Sequence, residues 1–144
     1  MNENEYVPSP TGWVAEQTAL YESSGGREGT MLRGMPVVLV THRGRRTGAV
    51  RKTPLMRVVD GDRYVLVASV GGAPKHPVWY YNLLADPDVT LRDGERVMEM
   101  RARLVEDPEE RAHLWARAVE AFPNYADYQQ RTQRVIPVFV LEPR

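Results

Sequence analysis

The chain contains no cysteine. That absence excludes a disulfide framework, a thiolate metal site and a cysteine nucleophile. Any redox chemistry then needs a bound carrier, with the protein supplying orientation and electrostatics. Histidine is scarce too, and His42, His76 and His113 stand too far apart to suggest a metal-ligand spacing, so no metal is expected. Long apolar runs are missing. A run such as Val37-Val38-Leu39-Val40 falls far short of the roughly 20 residues that cross a bilayer. Neither charge is in excess, with 19 basic and 19 acidic residues, which argues against broad binding to nucleic acid. The polar, acidic opening MNENEYVPSP does not read as a secretory signal, so a cytoplasmic protein is expected. A length of 144 residues suits one domain with a real core.

The balanced total conceals a basic region. Between Gly29 and Ala85 nine Lys or Arg face only Asp60 and Asp62. Five of those cations fall in Arg43–Met56, read RGRRTGAVRKTPLM, which has no acid. Gly44-Arg45-Arg46-Thr47-Gly48 is neither a P-loop nor a dinucleotide fingerprint, because a strand rather than a helix follows it. A glycine-bounded turn can still aim successive backbone N–H groups at one anion. Thr47 adds a hydroxyl there, and Arg45 or Arg46 a fork suited to phosphate. Arg51 and Lys52 would extend the field along the next strand. A solvated hairpin turn, or a nucleic-acid contact, would account for the same charges.

Turn signals and periodicity set the expected elements. Residues 1–10 read as a mobile arm, followed by a helix from Thr11 to about Glu22 with Trp13, Val14, Gln17, Leu20 and Tyr21 on one side. Ser23-Ser24-Gly25-Gly26 forms a joint. Strands are expected over 36–41, 50–59 and 64–68. Two more flank Asp93-Gly94, and a closing strand runs over 135–141 with Pro137 at an edge or a start. The two Asp-Gly pairs signal hairpins, so the sheet is mainly antiparallel. Short helices are expected over 77–85 and from Asp107 to Phe122, with a further turn over 125–131. About six strands with few helices fit an α+β chain built on a small antiparallel barrel.

Two further stretches carry candidate chemistry. Ala68-Ser69-Val70-Gly71-Gly72 leads from a strand through a glycine loop toward Trp79, Tyr80 and Asn82, so backbone there can approach a flat ring. Phe122, Tyr125 and Tyr128 recur every three residues and can wall an aromatic pocket, or simply pack. A tyrosine hydroxyl donates hydrogen bonds but is a weak acid without tuning. No Ser-His-Asp arrangement is legible.

Taken together, GRRTGAVRKTPLM (44–56), DGDRYVLVAS (60–69), GGAPKHPVWYYNLLADPDV (71–89) and FPNYADYQQRTQRVIPVFVLEP (122–143) closely resemble the deazaflavin-dependent nitroreductase family of actinobacteria. The resemblance implies an antiparallel split β-barrel like that of flavin-binding pyridoxamine-phosphate oxidases. It would hold coenzyme F420, an anionic deazaflavin with a phosphate and an oligoglutamate tail, and FMN is the alternative. Carried over by motif, the phosphate side maps onto Arg45, Arg46, Thr47, Gly48, Arg51, Lys52, Thr53, Pro54, Leu55 and Met56. The ring side maps onto Ala68, Ser69, Val70, Gly71, Trp79, Tyr80 and Asn82. Tyr125, Tyr128 and Ser69 become the candidate catalytic groups, while Phe122 stands where relatives often carry tyrosine. The implied reaction is hydride transfer to a quinone, nitroaromatic or activated enone. The expected division is an arm and short helix over 1–34 and a cofactor-binding barrel over 35–144. A homodimer and a weak association with the inner face of the membrane are further expectations.

Overall fold

A computed structural model describes residues 5–144. The elements in chain order are α1 (Gly12–Ser23), β1 (Met31–Leu32), β2 (Met35–Arg43), β3 (Val50–Met56), β4 (Val59–Asp60), β5 (Arg63–Val67), α2 (Val78–Ala85), β6 (Asp88–Asp93), β7 (Arg96–Leu104), α3 (Pro108–Ala121), α4 (Asn124–Gln130) and β8 (Val138–Pro143). Every strand pair is antiparallel. Pairing runs β4-β5-β8-β7-β6-β2-β3, and the sheet curls until its two ends meet.

They meet through the one expected strand that breaks. Residues 50–59 were expected to run straight, yet β3 ends at Met56 and only Val59–Asp60 resume as β4. The Arg57 N–H turns to the Pro36 carbonyl, while the Val58 carbonyl accepts from Val65. One segment thus pairs with β2 on one side of the gap and with β5 on the other, which leaves the barrel split. Both Asp-Gly hairpins form, with Asp60 opposite Arg63 and Asp93 opposite Arg96. The closing strand starts late, at Val138. It is flanked by β5 and β7, so Pro137 marks a start and not an edge.

Alternation sorts the strands into two cores. Val38, Val40, Tyr64, Leu66, Phe139 and Leu141 point into the barrel, which α2 closes at one end with Trp79 and Leu83. Val65, Val67, Val138 and Val140 point outward beneath α3 and α4. With both faces covered, β5 and β8 read as unbroken apolar runs. Asp107 caps α3 by accepting from the Glu110 N–H at 2.9 Å.

The expected mobile arm is only partly described, since residues 1–4 lie outside. Beyond them, Val7 donates to the Val50 carbonyl and Glu5 accepts from Val50. The buried side of α1 also differs from expectation. Trp13 and Leu20 are exposed, whereas Thr18 and Tyr21 are buried. The reason is one hydroxyl: Tyr21 donates toward the Val37 and Arg92 carbonyls and accepts from the Gly94 N–H at 2.8 Å, which fixes the helix roll.

Candidate functional site

Two cavities lie along the same pair of elements, β3 and α2. The first, about 440 Å³, is walled by the 44–47 turn, Arg51 and the α2 residues Val78, Tyr81 and Asn82. Backbone accounting explains what the turn offers. Gly44 donates to the Ala49 carbonyl and Gly48 to the Gly44 carbonyl, both at 2.8 Å. Ala49 donates to Thr47 Oγ1 at 3.1 Å and Arg45 to Asn82 Oδ1 at 3.0 Å. Among the described residues, the N–H groups of Arg46 and Thr47 have no protein acceptor. Two adjacent unclaimed amides beside guanidinium groups are the donor set that an anion-binding concavity requires.

The charges around it are fewer than the sequence suggests. Arg45 lies 4.7 Å over the Tyr81 ring, and Arg51 donates to the Val7 and Pro8 carbonyls at 3.3 and 3.4 Å while still lining the cavity. Lys52 projects from the other face of β3, where it bonds Glu22 at 2.6 Å. Arg57 pairs with Asp93, and Arg63 with Asp60. The cations that line this cavity are Arg45, Arg46 and Arg51, while Arg43 donates to the Gly48 carbonyl at 3.3 Å.

The second cavity, about 330 Å³, lies farther along β3 and is mainly apolar and aromatic. Pro54, Leu55 and Met56 form one wall; Ser69, Val70, Gly71 and Trp79 form another. Phe122, Tyr125 and Tyr128 close it, with ring centroids 5.0 to 6.3 Å apart. Burial pushes the Tyr125 phenol up, with Tyr128 adding to the effect, so Tyr125 stays protonated. The Ser69 hydroxyl forms no hydrogen bond among the described residues.

The glycine loop meets this cavity in a strained form. Ser69 is right-handed and Val70 follows at φ 47°, a rare conformation for a β-branched residue. Such a residue costs on the order of 1–3 kcal/mol and persists only where its surroundings impose it. Arg134 imposes it, donating to the carbonyls of Ala73, Ala68 and Ser69 and to His76 Nδ1, all within 2.7–3.1 Å. Gly72, at φ +85°, lets α4 approach: a Cβ there would sit 2.8 Å from the Tyr128 carbonyl oxygen. The N–H groups of Val70 and Gly71 donate to no protein acceptor among the described residues, so this end also carries two adjacent open amides.

Sequence-expected residues thus divide by place. Arg45, Arg46, Thr47, Arg51 and Asn82 reach the first cavity; Pro54, Leu55, Met56, Ser69, Val70, Gly71, Trp79, Tyr125 and Tyr128 reach the second. Gly48, Lys52, Thr53, Ala68 and Tyr80 line neither. Ala68 is fully buried, and Tyr80 stacks on His76 at 4.2 Å.

The sequence over residues 13–143 matches the model of the F420H(2)-dependent quinone reductase family. The chain belongs to that family. An F420H(2)-dependent quinone reductase of Mycobacterium tuberculosis is 42% identical over 130 residues, covering 88% of this chain and 87% of the relative. A solved F420-H2 dependent reductase is 51% identical, with TM-score 0.70 over 74% of this chain and 94% of its own. A solved domain-swapped dimer is 48% identical, with TM-score 0.73 over 93% of this chain and all of the other. Far more distant likenesses, such as a pyridoxinephosphate oxidase family protein of Clostridium acetobutylicum at 15% identity and TM-score 0.51, share the fold alone.

Within this F420H(2)-dependent quinone reductase family member, sequence reasoning missed Arg134, His42 and the cavity-mouth residues Trp13, Leu32 and Arg33. None carries a local signal. Arg134 is an arginine among polar neighbours, and its role exists only because the 68–76 segment folds over it.

Proposed function

We propose that this protein binds coenzyme F420 along β3 and α2 and uses the reduced form to reduce a quinone. The observation that carries the reading is the pairing of unlike cavities on one groove. Arg51 and Pro54 stand about 10 Å apart along the strand. An open-amide, guanidinium-flanked site therefore lies within one ligand's reach of an apolar aromatic slot. That donor set fits a flat ring with a phosphate at the end of a short chain. FMN would satisfy the same two ends, which makes it the competing occupant.

When bound, reduced F420 supplies a hydride. The protein's share is to hold the phosphate on the Arg46 and Thr47 amides and to steady the ring's polar edge at Val70 and Gly71. Trp79, Leu55 and Phe122 exclude water from the slot. A quinone accepts the hydride and one proton to become the hydroquinone. The hydroxyls of Tyr125 and Ser69, which line the slot, stabilise the oxyanion that forms first, and solvent at the mouth provides the proton.

The test follows F420H2 oxidation against quinones, nitroaromatics and activated enones. Turnover with quinones supports the reading. Tight binding without turnover on any acceptor points to a carrier, and preference of the apo-protein for FMN overturns the cofactor assignment.

Two assembly features belong with this proposal. The domain-swapped dimer found for a relative 48% identical over 93% of this chain supports a homodimer here too. Sedimentation as a monomer at all concentrations contradicts that. Trp13, 53% exposed, lines the second cavity, and the equally exposed Met31 precedes Leu32 of that lining, where weak contact with a bilayer would give access to lipid-soluble quinones. Among the described residues no helix is long and apolar enough to cross a membrane. Flotation with vesicles, lost in a Trp13→Ser, Met31→Ser variant, supports the association; no flotation of the parent protein removes it.

A further inference from the structure

His42 is 4% exposed, ionisable, and unused by the chemistry above. It lies on β2 directly opposite Arg51 of β3. Its Nε2 is 2.9 Å from Thr53 Oγ1, and its Nδ1 is 3.3 Å from Asn82 Nδ2. The remaining atom of that carboxamide, Asn82 Oδ1, accepts from the Arg45 N–H. These contacts dictate the protonation. Because Oδ1 is held by an amide donor, Nδ2 faces His42, so Nδ1 must accept and the proton sits on Nε2, donated to Thr53. Three elements and the basic turn are joined by one directed chain of hydrogen bonds.

The chain has a consequence for the anion site. Asn82 is 2% exposed, with Oδ1 taken by the Arg45 N–H and one Nδ2 N–H by His42, so it holds the turn from behind. By claiming the Arg45 N–H, it leaves Arg46 and Thr47 as the two open donors and sets where they point. We propose that His42 is the positioning residue of the phosphate site, fixing the orientation of Asn82 and through it the aim of the Arg46 and Thr47 amides. An apolar residue at 42 leaves the buried Asn82 Nδ2 without its acceptor, so the carboxamide loses its anchor from behind and the turn that it holds through Oδ1 shifts.

The proposal rests on the cofactor reading for its ligand, yet the experiment separates the two. Amide NMR of the apo-protein, titrated with inorganic phosphate, reads the turn directly. Shifts of Arg46 and Thr47 are expected in the parent and in His42→Asn, which keeps an acceptor toward Asn82, and are expected to vanish in His42→Leu. Fluorescence titration then compares F420 with its phosphate-free deazaflavin chromophore. His42→Leu should weaken F420 by about tenfold or more, the scale of a misaligned hydrogen bond to a charged group. The chromophore's affinity should stay unchanged, and His42→Asn should restore most of the loss. Equal losses for both ligands, or phosphate shifts that persist in a folded His42→Leu, overturn the positioning role. If the parent protein binds phosphate at the turn but not F420, the cofactor reading fails while the brace stands.

Discussion

The two ends of the groove solve similar problems by different means. Each offers two adjacent backbone amides without a protein acceptor, Arg46 and Thr47 at one end and Val70 and Gly71 at the other. At the first end the amides sit in a hairpin turn ringed by Arg45, Arg46 and Arg51, and a buried brace holds them from behind. At the second they sit in a strained loop with apolar and aromatic walls, fastened by a single arginine at its carbonyls. The lesson is one of charge. A full anion needs guanidinium groups, whereas a ring's polar edge or a transient oxyanion needs aimed dipoles in a dry place.

Perturbing either end sharpens the contrast, and the largest effect is expected at the brace. Burial, with Arg51 opposite, lowers His42 from its ordinary value to about 4. The unfolded chain takes up the proton near pH 6.5 and the folded chain only near 4. Stability contributed by the neutral form is therefore intact above pH 6.5 and lost as pH falls toward 4, by up to about 3 kcal/mol. Urea unfolding should find the gap between the parent and His42→Gln narrowing across that window; a constant gap would remove the titration from the account.

At the ring end, Gly72→Ala forces a Cβ against Tyr128 and Arg131 in a left-handed conformation. A loss of about 2 kcal/mol in thermal unfolding is expected. No change in Tm would mean that α4 does not press on the loop. Returning to the anion end, Arg46→Ala should weaken F420 by about tenfold with little change in turnover at saturation. The smallest effect belongs to Tyr125→Phe: kcat falls several-fold, by about 1 kcal/mol, while F420 affinity holds. If both variants alter binding and turnover alike, the two ends are not functionally distinct.

How legible the molecule was in its sequence follows the range of the forces involved. The Asp-Gly turns, the Asp107 cap and the apolar run of β5 are local, and they appear where expected. The split at Arg57-Val58 was hidden, because a kink that joins two edges of a sheet depends on where those edges lie. The side of α1 that is buried was misread for a similar reason: Tyr21 finds its partners on β2 and at the β6–β7 turn. Lys52 looked like part of the anion field until strand alternation placed it beside Glu22.

The sequence by itself determined that the protein has no thiol chemistry, that a basic glycine-bounded turn precedes a strand, and that an aromatic helix follows a glycine loop. Composition and short-range turn chemistry suffice for those statements. Only the tertiary structure decided which cations remain at the turn, which amides stay open, and why Val70 is held at positive φ. Each of those is settled by a hydrogen bond or ion pair between residues distant in the chain, such as Arg45 with Asn82, Lys52 with Glu22, or Arg134 with Ser69. A pairing of that kind has no periodicity to read, because it exists only once the barrel has closed.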